Sequence, residues 1–267
     1  MPPSYAQVVT TLRSAGCVFA EDEARLILST ARTPVELAAM VDRRVAGRPL
    51  EHVLGWAGFS GLRIAVEPGV FVPRRRTEFL VQQAVALASE LPVVVPVAAS
   101  VGAPVVVDLC CGSGAVGAAL AASLPGAELH AVDIDPVAVS CARRNIGARG
   151  QVYEGDLFGP LPHGLRGRVG VLAANVPYVP TGEVGLLPPE ARDHEPLVAL
   201  DGGGDGLDVL RRVAAEAPRW LASGGGLLVE TSERQVERAV GIFADAGLRP
   251  RLEVSEELYA HVVVGMT

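Results

Sequence analysis

The sequence predicts an α/β protein whose main domain has a mostly parallel sheet, preceded by a small helical domain and a β-hairpin. From Val105 onward, apolar strand-like segments alternate with helical segments, an order typical of a parallel sheet with helices on both faces. Residues 1–48 show helical spacing alone, and residues 50–72 alternate around a Ser-Gly pair. The chain then divides into three predicted parts: a helical domain with the hairpin (1–76), a connecting helix and linker (77–104) and the α/β domain (105–267).

Three helices are predicted in the first 48 residues. Ser4 is a candidate N-cap for a helix that ends near Ser14, and a second apolar stripe predicts a helix over Glu21–Thr30. Thr33-Pro34 is a typical helix start, because proline at the first helical position needs no hydrogen-bonded N–H. We expect that third helix to end at Gly47.

The next segment changes to strand-like alternation. Apolar residues up to Phe59 precede Ser60-Gly61, and Leu62–Val66 alternates after it, which predicts a hairpin with a glycine turn. A helix is expected from Thr77 to about Glu90. Residues 91–104 contain three prolines and no charge, a composition that indicates a linker or a packed loop.

The α/β domain is predicted element by element from its apolar runs. Strands are expected over Val105–Leu109, Glu128–Val132, Gln151–Glu154, Val169–Ala174 and Gly226–Thr231, and helices over Ala115–Ser123, Pro136–Ala148, Gly206–Leu221 and Glu233–Ala246. Arg249–Val254 and His261–Val264 are expected to pair as a terminal hairpin. Since ligands of parallel sheets bind at the carboxyl ends of the strands, the candidate site residues are sought there.

Composition excludes several classes of protein. The net charge is −7, and residues 91–267 carry 13 Arg against 21 acidic residues, a poor match to a phosphate backbone, so direct nucleic-acid binding is disfavoured. The four cysteines lack a CxxC metal spacing and the histidines are scattered, so no metal site is expected. Reduced thiols, no signal peptide and no apolar stretch long enough to span a bilayer predict a cytoplasmic protein, which we expect to be a monomer.

A glycine-rich turn follows the first strand of the α/β domain. Gly112 and Gly114 lie between that strand and the next helix, and Asp133 ends the second strand 21 positions after Gly112. Glycine permits a tight turn close to a ligand, and the acidic residue is placed to accept hydrogen bonds from ribose hydroxyls. The pattern predicts a nucleoside cofactor but does not distinguish NAD from S-adenosylmethionine.

Two further carboxylates favour S-adenosylmethionine. Asp108 precedes the turn, where it could meet a cationic sulfonium or an ammonium group. Asp156 follows the third strand and could accept a hydrogen bond from the adenine amino group, with Leu157 against the ring. From spacing alone, a turn or helix-cap role for Asp156 is nearly as well supported.

The segment Asn175-Val-Pro-Tyr178 ends the fourth strand. An amide nitrogen is a poor nucleophile because its lone pair is delocalised. The Asn175 side-chain oxygen and the Val176 carbonyl could accept hydrogen bonds from an NH₂ group and hold its nitrogen in line with a methyl donor. Pro177 restricts the backbone, and Tyr178 could lie flat against a planar substrate. Taken alone, the tetrapeptide is better explained as a strand followed by an Asn/Pro turn, but its position at the end of the fourth strand of this fold favours the role at the acceptor.

In these blocks the chain resembles the release-factor glutamine methyltransferases (HemK/PrmC-type), whose signature here is Asn-Pro-Pro-Tyr. Val72–Glu78 resembles the family's Ile-Pro-Arg-Pro-Glu-Thr-Glu junction, and Glu195–Leu207 and Ser223–Glu230 resemble two later blocks, so the likeness covers nearly the whole chain. The resemblance implies a Rossmann-like class I methyltransferase domain with a seven-stranded sheet. It also implies that the helical domain helps to hold a protein substrate.

The resemblance implies methyl transfer from S-adenosylmethionine to the side-chain amide of glutamine in the Gly-Gly-Gln loop of a peptide-chain release factor. The residues assigned to catalysis are Asn175, Val176, Pro177 and Tyr178. The residues assigned to the cofactor are Asp108, Cys110, Gly112, Gly114, Asp133, Ile134, Asp156, Leu157 and Asn175. The residues assigned to the substrate are Asn175, Tyr178, Glu195 and Arg74.

The chain departs from the family pattern at a few positions. Val176 replaces the first proline of the tetrapeptide, Arg75 and Arg76 differ in the junction, and Thr231-Ser232 replaces Ile-Gly. The run Arg74–Arg76 could dock an acidic partner or a phosphate, although a solvated turn is the commoner meaning of such a run. A different acceptor, such as another protein or a nucleic-acid amino group, or a non-catalytic cofactor-binding paralogue are therefore kept as alternatives, with a dehydrogenase ranked below them.

Overall fold

The computed structural model describes residues 3–91 and 104–267. Its N-terminal helices are α1 (Tyr5–Ser14), α2 (Ala20–Thr30), α3 (Pro34–Val45) and α4 (Leu50–Leu54). The capping predictions are confirmed: the Ser4 hydroxyl accepts from the Gln7 N–H in a capping box, and the Thr33 hydroxyl accepts from the Glu36 N–H. These helices enclose a small core of their own, which includes Leu12, Ile27 and Met40.

The predicted hairpin is present but shorter than expected. Strands β1 (Trp56–Phe59) and β2 (Leu62–Ala65) pair antiparallel around Ser60-Gly61, whereas residues 50–54 form α4, which the sequence analysis did not predict. Helix α5 (Glu78–Glu90) follows the junction. The predicted linker lies almost entirely outside the described residues, at 92–103.

The predicted sheet is confirmed. Its strands are β3 (Val105–Leu109), β4 (Glu128–Asp133), β5 (Gly150–Glu154), β6 (Val169–Ala174), β7 (Leu221–Thr231), β8 (Arg249–Ser255) and β9 (Ala260–Met266). Among the described residues the sheet has seven strands in the order β5-β4-β3-β6-β7-β9-β8, and only β9 runs antiparallel to both of its neighbours. The terminal hairpin β8–β9 closes one edge.

Helices cover both faces of this sheet. They are α5, α6 (Ala115–Ser123), α7 (Pro136–Ile146), α9 (Asp208–Trp220) and α10 (Val236–Asp245), whereas α8 (Pro189–His194) has no buried residue. Alternate residues of each central strand enter two separate cores: Val106 and Val171 belong to one, and Val107 and Leu172 to the other. Burial on both faces explains why the central strands read as continuous apolar runs.

Helix α8 was not predicted and lies in the long segment between β6 and α9. It is fixed to the N-terminal helices by one ion pair, since Arg44 Nη1 lies 2.6 Å from Glu190 Oε1. Arg44 is itself buried and also pairs with Glu23 at 2.6 Å. The N-terminal helices and the loop that follows the fourth strand of the α/β domain are thus joined by a charged contact.

Candidate functional site

A cavity of about 530 Å³ opens at the carboxyl ends of β3, β4 and β6. Its volume is in the range of small-ligand sites, and its walls are mainly apolar with a few polar groups. One end lies at the glycine-rich turn, and the other lies between the junction, the Asn-Val-Pro-Tyr segment and α8. The predicted site residues on its walls are Arg74, Asp108, Cys110, Gly112, Asp133, Ile134, Asp156, Leu157, Asn175, Val176, Pro177 and Tyr178.

Asp133 organises the glycine-rich end of the cavity. Its Oδ2 accepts a hydrogen bond from the Gly112 N–H at 2.7 Å, and its Oδ1 accepts from the Asp135 N–H at 2.9 Å. Burial raises the pKa of this carboxyl, although these backbone donors oppose the rise. The bonds fix the carboxylate at the end of β4, and further lone pairs remain for a ligand's hydroxyl groups.

The two glycines of the turn have different surroundings. Gly112 has φ +54°, and an added Cβ would meet no atom within 4 Å, so its surface is open toward the cavity. Gly114 has φ +75°, and an added Cβ would lie 2.9 Å from the Ala142 Cβ on α7. Gly112 is therefore placed for close approach of a ligand, whereas Gly114 permits the packing of α6 against α7 and is absent from the cavity wall.

Asp108 is fully buried beneath the turn. Its Oδ2 accepts from the Gly117 N–H at 2.8 Å. Burial raises the pKa of this carboxyl to about 7, partly opposed by the Gly117 hydrogen bond and reinforced by the charge of Asp133. Asp108 can therefore change its charge near neutral pH, and a cation bound in the cavity would favour its ionised form.

The far side of the glycine-rich end is formed by Asp156 and Leu157. Leu157 is buried and has φ +48°, a left-handed conformation that is uncommon for leucine. Asp156 is half-exposed and forms an ion pair with Arg212 of α9. A carboxylate with one charged partner at a cavity rim keeps acceptor sites for a ligand's amino group.

Asn175 lies on the cavity wall at the other end and carries a buried side-chain oxygen. Its Nδ2 donates to the Thr77 Oγ1 at 3.4 Å, so the amide is oriented by a residue of the junction. Its Oδ1 is buried and has no hydrogen-bond partner among the described residues. A buried acceptor without a donor is costly unless a ligand supplies one, so this oxygen is suited to accept from an NH₂ group.

Tyr178 is held by a charged network. The Arg76 Nη2 donates to the Tyr178 hydroxyl, and the Arg76 Nε lies 2.9 Å from Oε1 of Glu230, at the end of β7. Burial and the charge of Glu230 raise the pKa of the Tyr178 phenol, whereas Arg76 lowers it. The interpretation of the arginine run as a solvated turn is incomplete at Arg76: its side chain is 45% exposed, but its guanidinium pairs with a carboxylate that is only 2% exposed.

Arg74 is also paired, with the Glu195 carboxylate. Its Nη2 lies 2.6 and 2.7 Å from the two Glu195 oxygens, and the Val72 N–H donates to Oε1 at 3.2 Å. Arg74 lies on the cavity wall, whereas Glu195 is buried behind it and is absent from the wall. The structure therefore does not bring Glu195 to the place predicted for a substrate contact; it joins the junction to the segment after α8.

Four residues of the site were not selected from the sequence. Thr77 orients Asn175, Arg76 and Glu230 hold Tyr178, and Arg212 pairs with Asp156. Thr77 and Glu230 lie within blocks that resemble the family, and this was the available signal. No pattern in the sequence linked Arg76 or Arg212 to its carboxylate, because each partner lies far away in the chain.

Known proteins with the same pattern identify the family. The Geobacter sulfurreducens release factor glutamine methyltransferase is 40% identical over 220 residues, which cover 80% of this chain and 72% of that protein. The chain belongs to the release factor glutamine methyltransferase family. Its Mycolicibacterium smegmatis member is 40% identical over 85% of this chain and 78% of that protein. Members of this family are S-adenosylmethionine-dependent enzymes.

A family model, a solved structure and a further relative are also similar to this chain. Residues 63–165 match the family model described as "Methyltransferase small domain". A Pyrococcus furiosus methyltransferase structure shares the fold, with a TM-score of 0.53 and 16% identity, covering 86% of this chain and 96% of that one. A Streptomyces pristinaespiralis protein named 4-amino-L-phenylalanine/4-methylamino-L-phenylalanine methyltransferase is 36% identical over 79% of this chain and 72% of that protein.

The donor set of the cavity fits S-adenosylmethionine. The open surface at Gly112, the Asp133 carboxylate and the apolar face of Leu157 suit an adenosine, and the buried Asp108 suits a cation. Over residues 3–91 and 104–267, His, Cys, Asp and Glu side chains form no cluster of three that could hold a metal ion. In the same ranges, no helix combines the length and apolarity needed to cross a membrane.

Proposed function

We propose that this protein transfers a methyl group from S-adenosylmethionine to the side-chain amide nitrogen of a glutamine in a peptide-chain release factor. The observation that carries the proposal is Asn175 on the cavity wall: its Oδ1 is buried and has no partner among the described residues, and its NH₂ group is bonded to Thr77. A carboxamide NH₂ is a group that this oxygen lacks and can accept from. Relatives that bear the release-factor name support the same acceptor.

In the proposed reaction the chain orients the acceptor and supplies no strong base. Asn175 Oδ1 and the Val176 carbonyl accept the two N–H groups of the amide, which raises electron density on nitrogen and points it at the methyl carbon. When bound, S-adenosylmethionine would supply a methyl carbon on a sulfonium; the new N–C bond would form as the C–S bond breaks, with the electrons of that bond going to sulfur. The nitrogen then loses a proton to water.

The charges around the acceptor end favour a neutral acceptor. Arg74 is paired with Glu195, Arg76 with Glu230, and Glu190 with Arg44. An anionic acceptor that paired with Arg74 or Arg76 would leave the buried carboxylate of Glu195 or Glu230 uncompensated. A carboxamide needs only hydrogen-bond partners and hence leaves the pairs intact.

The cofactor roles follow from the opposite end of the cavity. We assign Asp133 to the ribose, Asp156 and Leu157 to the adenine, and Asp108 to the positive charge of the donor. Cys110, Gly112 and Ile134 are assigned to the wall that the donor contacts. Gly114 and Glu195 are assigned supporting roles, because neither lines the cavity.

A monomer in the cytoplasm is the simplest setting for this activity. The four cysteines form no disulfide, as expected for a reducing compartment.

Methyl transfer to a purified release factor tests the proposal. The protein is incubated with methyl-labelled donor and the factor, and the modified residue is mapped by mass spectrometry. We expect label on the glutamine of the Gly-Gly-Gln loop, none on a factor with that glutamine changed to alanine, and a loss of at least about a hundredfold in rate for Asn175→Ala. A release factor that stays unlabelled after prolonged incubation with enzyme and excess donor would overturn the acceptor assignment. Full activity of Asn175→Ala would overturn the mechanism.

A second candidate acceptor is a neutral aromatic amine. Its support is the Streptomyces pristinaespiralis relative together with Val176, which replaces the first proline of the tetrapeptide. The same assay with 4-amino-L-phenylalanine in place of the release factor compares the two. A higher kcat/KM for the amine would favour this candidate over the release factor, whereas transfer to RNA or DNA would support the nucleic-acid alternative.

A further inference from the structure

Arg76 contacts two different groups through one planar guanidinium. Its Nε binds the Glu230 carboxylate at 2.9 Å, and its Nη2 binds the hydroxyl of Tyr178. The guanidinium carbon lies 5.8 Å from the centre of the Tyr178 ring. Both Arg76 and Tyr178 line the cavity, whereas Glu230 is buried behind them.

The main chain of Tyr178 is fixed by other residues. Gln235 Nε2 donates to the Tyr178 carbonyl at 2.9 Å and to the Asp205 carbonyl at 3.2 Å, and the Ser232 hydroxyl donates to Gln235 Oε1 at 2.6 Å. These bonds set the path of the backbone but leave the ring free to rotate about its side-chain torsions. Among the described residues, the hydroxyl of Tyr178 is held by Arg76 alone.

Glu230 explains why a cation is needed at position 76. Its side chain is 2% exposed, and its Oε1 binds Arg76 while its Oε2 has no partner among the described residues. A buried carboxylate that loses its counter-charge is strongly destabilising. In the resemblance given above, the family's junction has glutamate where this chain has Arg76, so this pairing is a feature of this chain's own sequence.

We propose that Arg76 is a positioning residue that holds the Tyr178 ring against the methyl acceptor while it neutralises Glu230, and that it thereby determines which planar acceptors are aligned for transfer. This inference rests on the proposed function for the identity of the acceptor. The effect of Arg76 on the Tyr178 ring can be measured without any acceptor.

Arg76→Lys separates the two tasks of the arginine. Lysine keeps a positive charge near Glu230, but its single ammonium cannot reproduce two separate bonds of a planar fork. We expect kcat for methyl transfer to fall by about tenfold or more, because a small misplacement of the acceptor is costly, while the KM for the donor stays unchanged. Arg75→Lys is the matched control: its side chain is 79% exposed, and no change in kcat is expected.

A double-mutant comparison tests whether Arg76 acts through Tyr178. If it does, Arg76→Lys should lower kcat by less than about twofold in a Tyr178→Phe background, because the phenylalanine ring has no hydroxyl to hold. An equal loss of kcat in both backgrounds would overturn the proposal and leave Arg76 as a partner of Glu230 only.

The ionisation of Tyr178 gives a readout that is independent of transfer. Arg76 lowers the pKa of this phenol, against burial and Glu230, which raise it. The tyrosinate absorbance assigned to Tyr178 by subtraction of Tyr178→Phe should therefore appear at higher pH in Arg76→Met/Glu230→Gln, which lacks the cation and leaves no buried charge, than in Glu230→Gln alone. An unshifted transition would overturn the positioning role. A shifted transition without any transfer to a release factor would retain that role and overturn the proposed acceptor instead.

Discussion

The Oγ1 of Thr77 accepts a hydrogen bond from the Nδ2 of Asn175 at 3.4 Å, although the two residues are 98 positions apart in the chain. Thr77 begins the connecting helix region, and Asn175 follows the fourth strand of the α/β domain. This contact occupies the Asn175 NH₂ group, and Oδ1 has no partner among the residues that the structure describes, so under the proposed function the contact sets which end of the amide is available to the acceptor. The junction thus contributes to the site through Thr77, which orients the side chain of Asn175 in the α/β domain.

Thr77→Val should lower methyl transfer without removing Asn175. The valine leaves the amide free to flip, and a flipped amide would point its NH₂ group at the NH₂ group of the acceptor. Loss of a net hydrogen bond of about 1 kcal/mol corresponds to roughly a five- to tenfold fall in kcat. Initial rates at saturating donor measure the effect, with Thr77→Ser, which keeps the hydroxyl, as the control; equal rates for the valine and serine variants would contradict the orienting role.

Alanine substitutions at Gly112 and Gly114 should affect different properties of the protein: donor affinity at Gly112 and folding stability at Gly114. Both occupy left-handed backbone, so each substitution costs about 1 to 2 kcal/mol of folding free energy. At Gly114 the new Cβ would also meet Ala142 at 2.9 Å, which adds about 1 to 3 kcal/mol from overpacking. Gly112→Ala should instead weaken donor binding by about tenfold or more, because the methyl group enters the cavity where a ligand approaches.

Denaturant unfolding and calorimetric titration with the donor separate these effects. Gly114→Ala should have the lower free energy of unfolding, and Gly112→Ala the larger loss of donor affinity at a temperature where both are folded. The reverse ranking would show that Gly114, rather than Gly112, forms the surface that the donor contacts.

The sequence predicts most of the fold because burial dominates its central strands. β3 and β6 are buried on both faces and are apolar except for Asp108 in β3, so their type and position can be predicted without knowledge of any contact. The helices α4 and α8 were missed for the opposite reason. They span five and six residues, too few for an apolar period of 3.6 to repeat.

The site residues also differ in how far they could be predicted from the sequence. Asn175, Asp133 and Gly112 follow directly from the ends of strands, where chain order and geometry coincide. Arg76 could not be assigned from the sequence, because its meaning depends on Glu230, which is 154 residues away and buried. A run of three arginines reads as solvent-exposed until the two carboxylates that pair with Arg74 and Arg76 are placed beside it.

Asp108 should make the folding stability depend on pH below neutrality. Its pKa is about 7 in the folded protein and close to 3.8 when exposed, so the folded state binds the extra proton between these values. The stabilisation is complete below about pH 4 and is lost as the pH rises through 7, since ionisation of a buried carboxyl opposes folding. The difference in free energy of unfolding between the unchanged protein and Asp108→Asn should therefore fall by on the order of 4 kcal/mol from pH 4 to pH 7.

Urea unfolding at several pH values measures this difference. Asparagine keeps an oxygen for the Gly117 N–H, so the comparison isolates the charge of Asp108. Asp133, whose pKa is also raised, contributes a similar slope in both proteins and cancels. If the difference in unfolding free energy between the two proteins were constant across this pH range, Asp108 would be ionised throughout, and another group would have to stabilise its negative charge.

Arg44 should be essential for the stability of the N-terminal helices. Its guanidinium binds both oxygens of Glu23, at 2.6 and 3.0 Å, and it is buried together with that residue. Arg44→Met would leave the Glu23 carboxylate buried without a counter-charge, which costs about 3 to 5 kcal/mol of unfolding free energy. The double variant Arg44→Met/Glu23→Gln should recover much of this loss, because it removes the uncompensated charge.

The contact of Arg44 with helix α8 should matter much less for stability. The side chain of Glu190 is 48% exposed, so its pair with Arg44 is screened by water, and Glu190→Gln should cost less than about 1 kcal/mol. Chemical denaturation of the three variants under identical conditions tests the ranking. If Glu190→Gln were as damaging as Arg44→Met, the ion pair to α8, and not the one to Glu23, would be what holds the N-terminal helices in place.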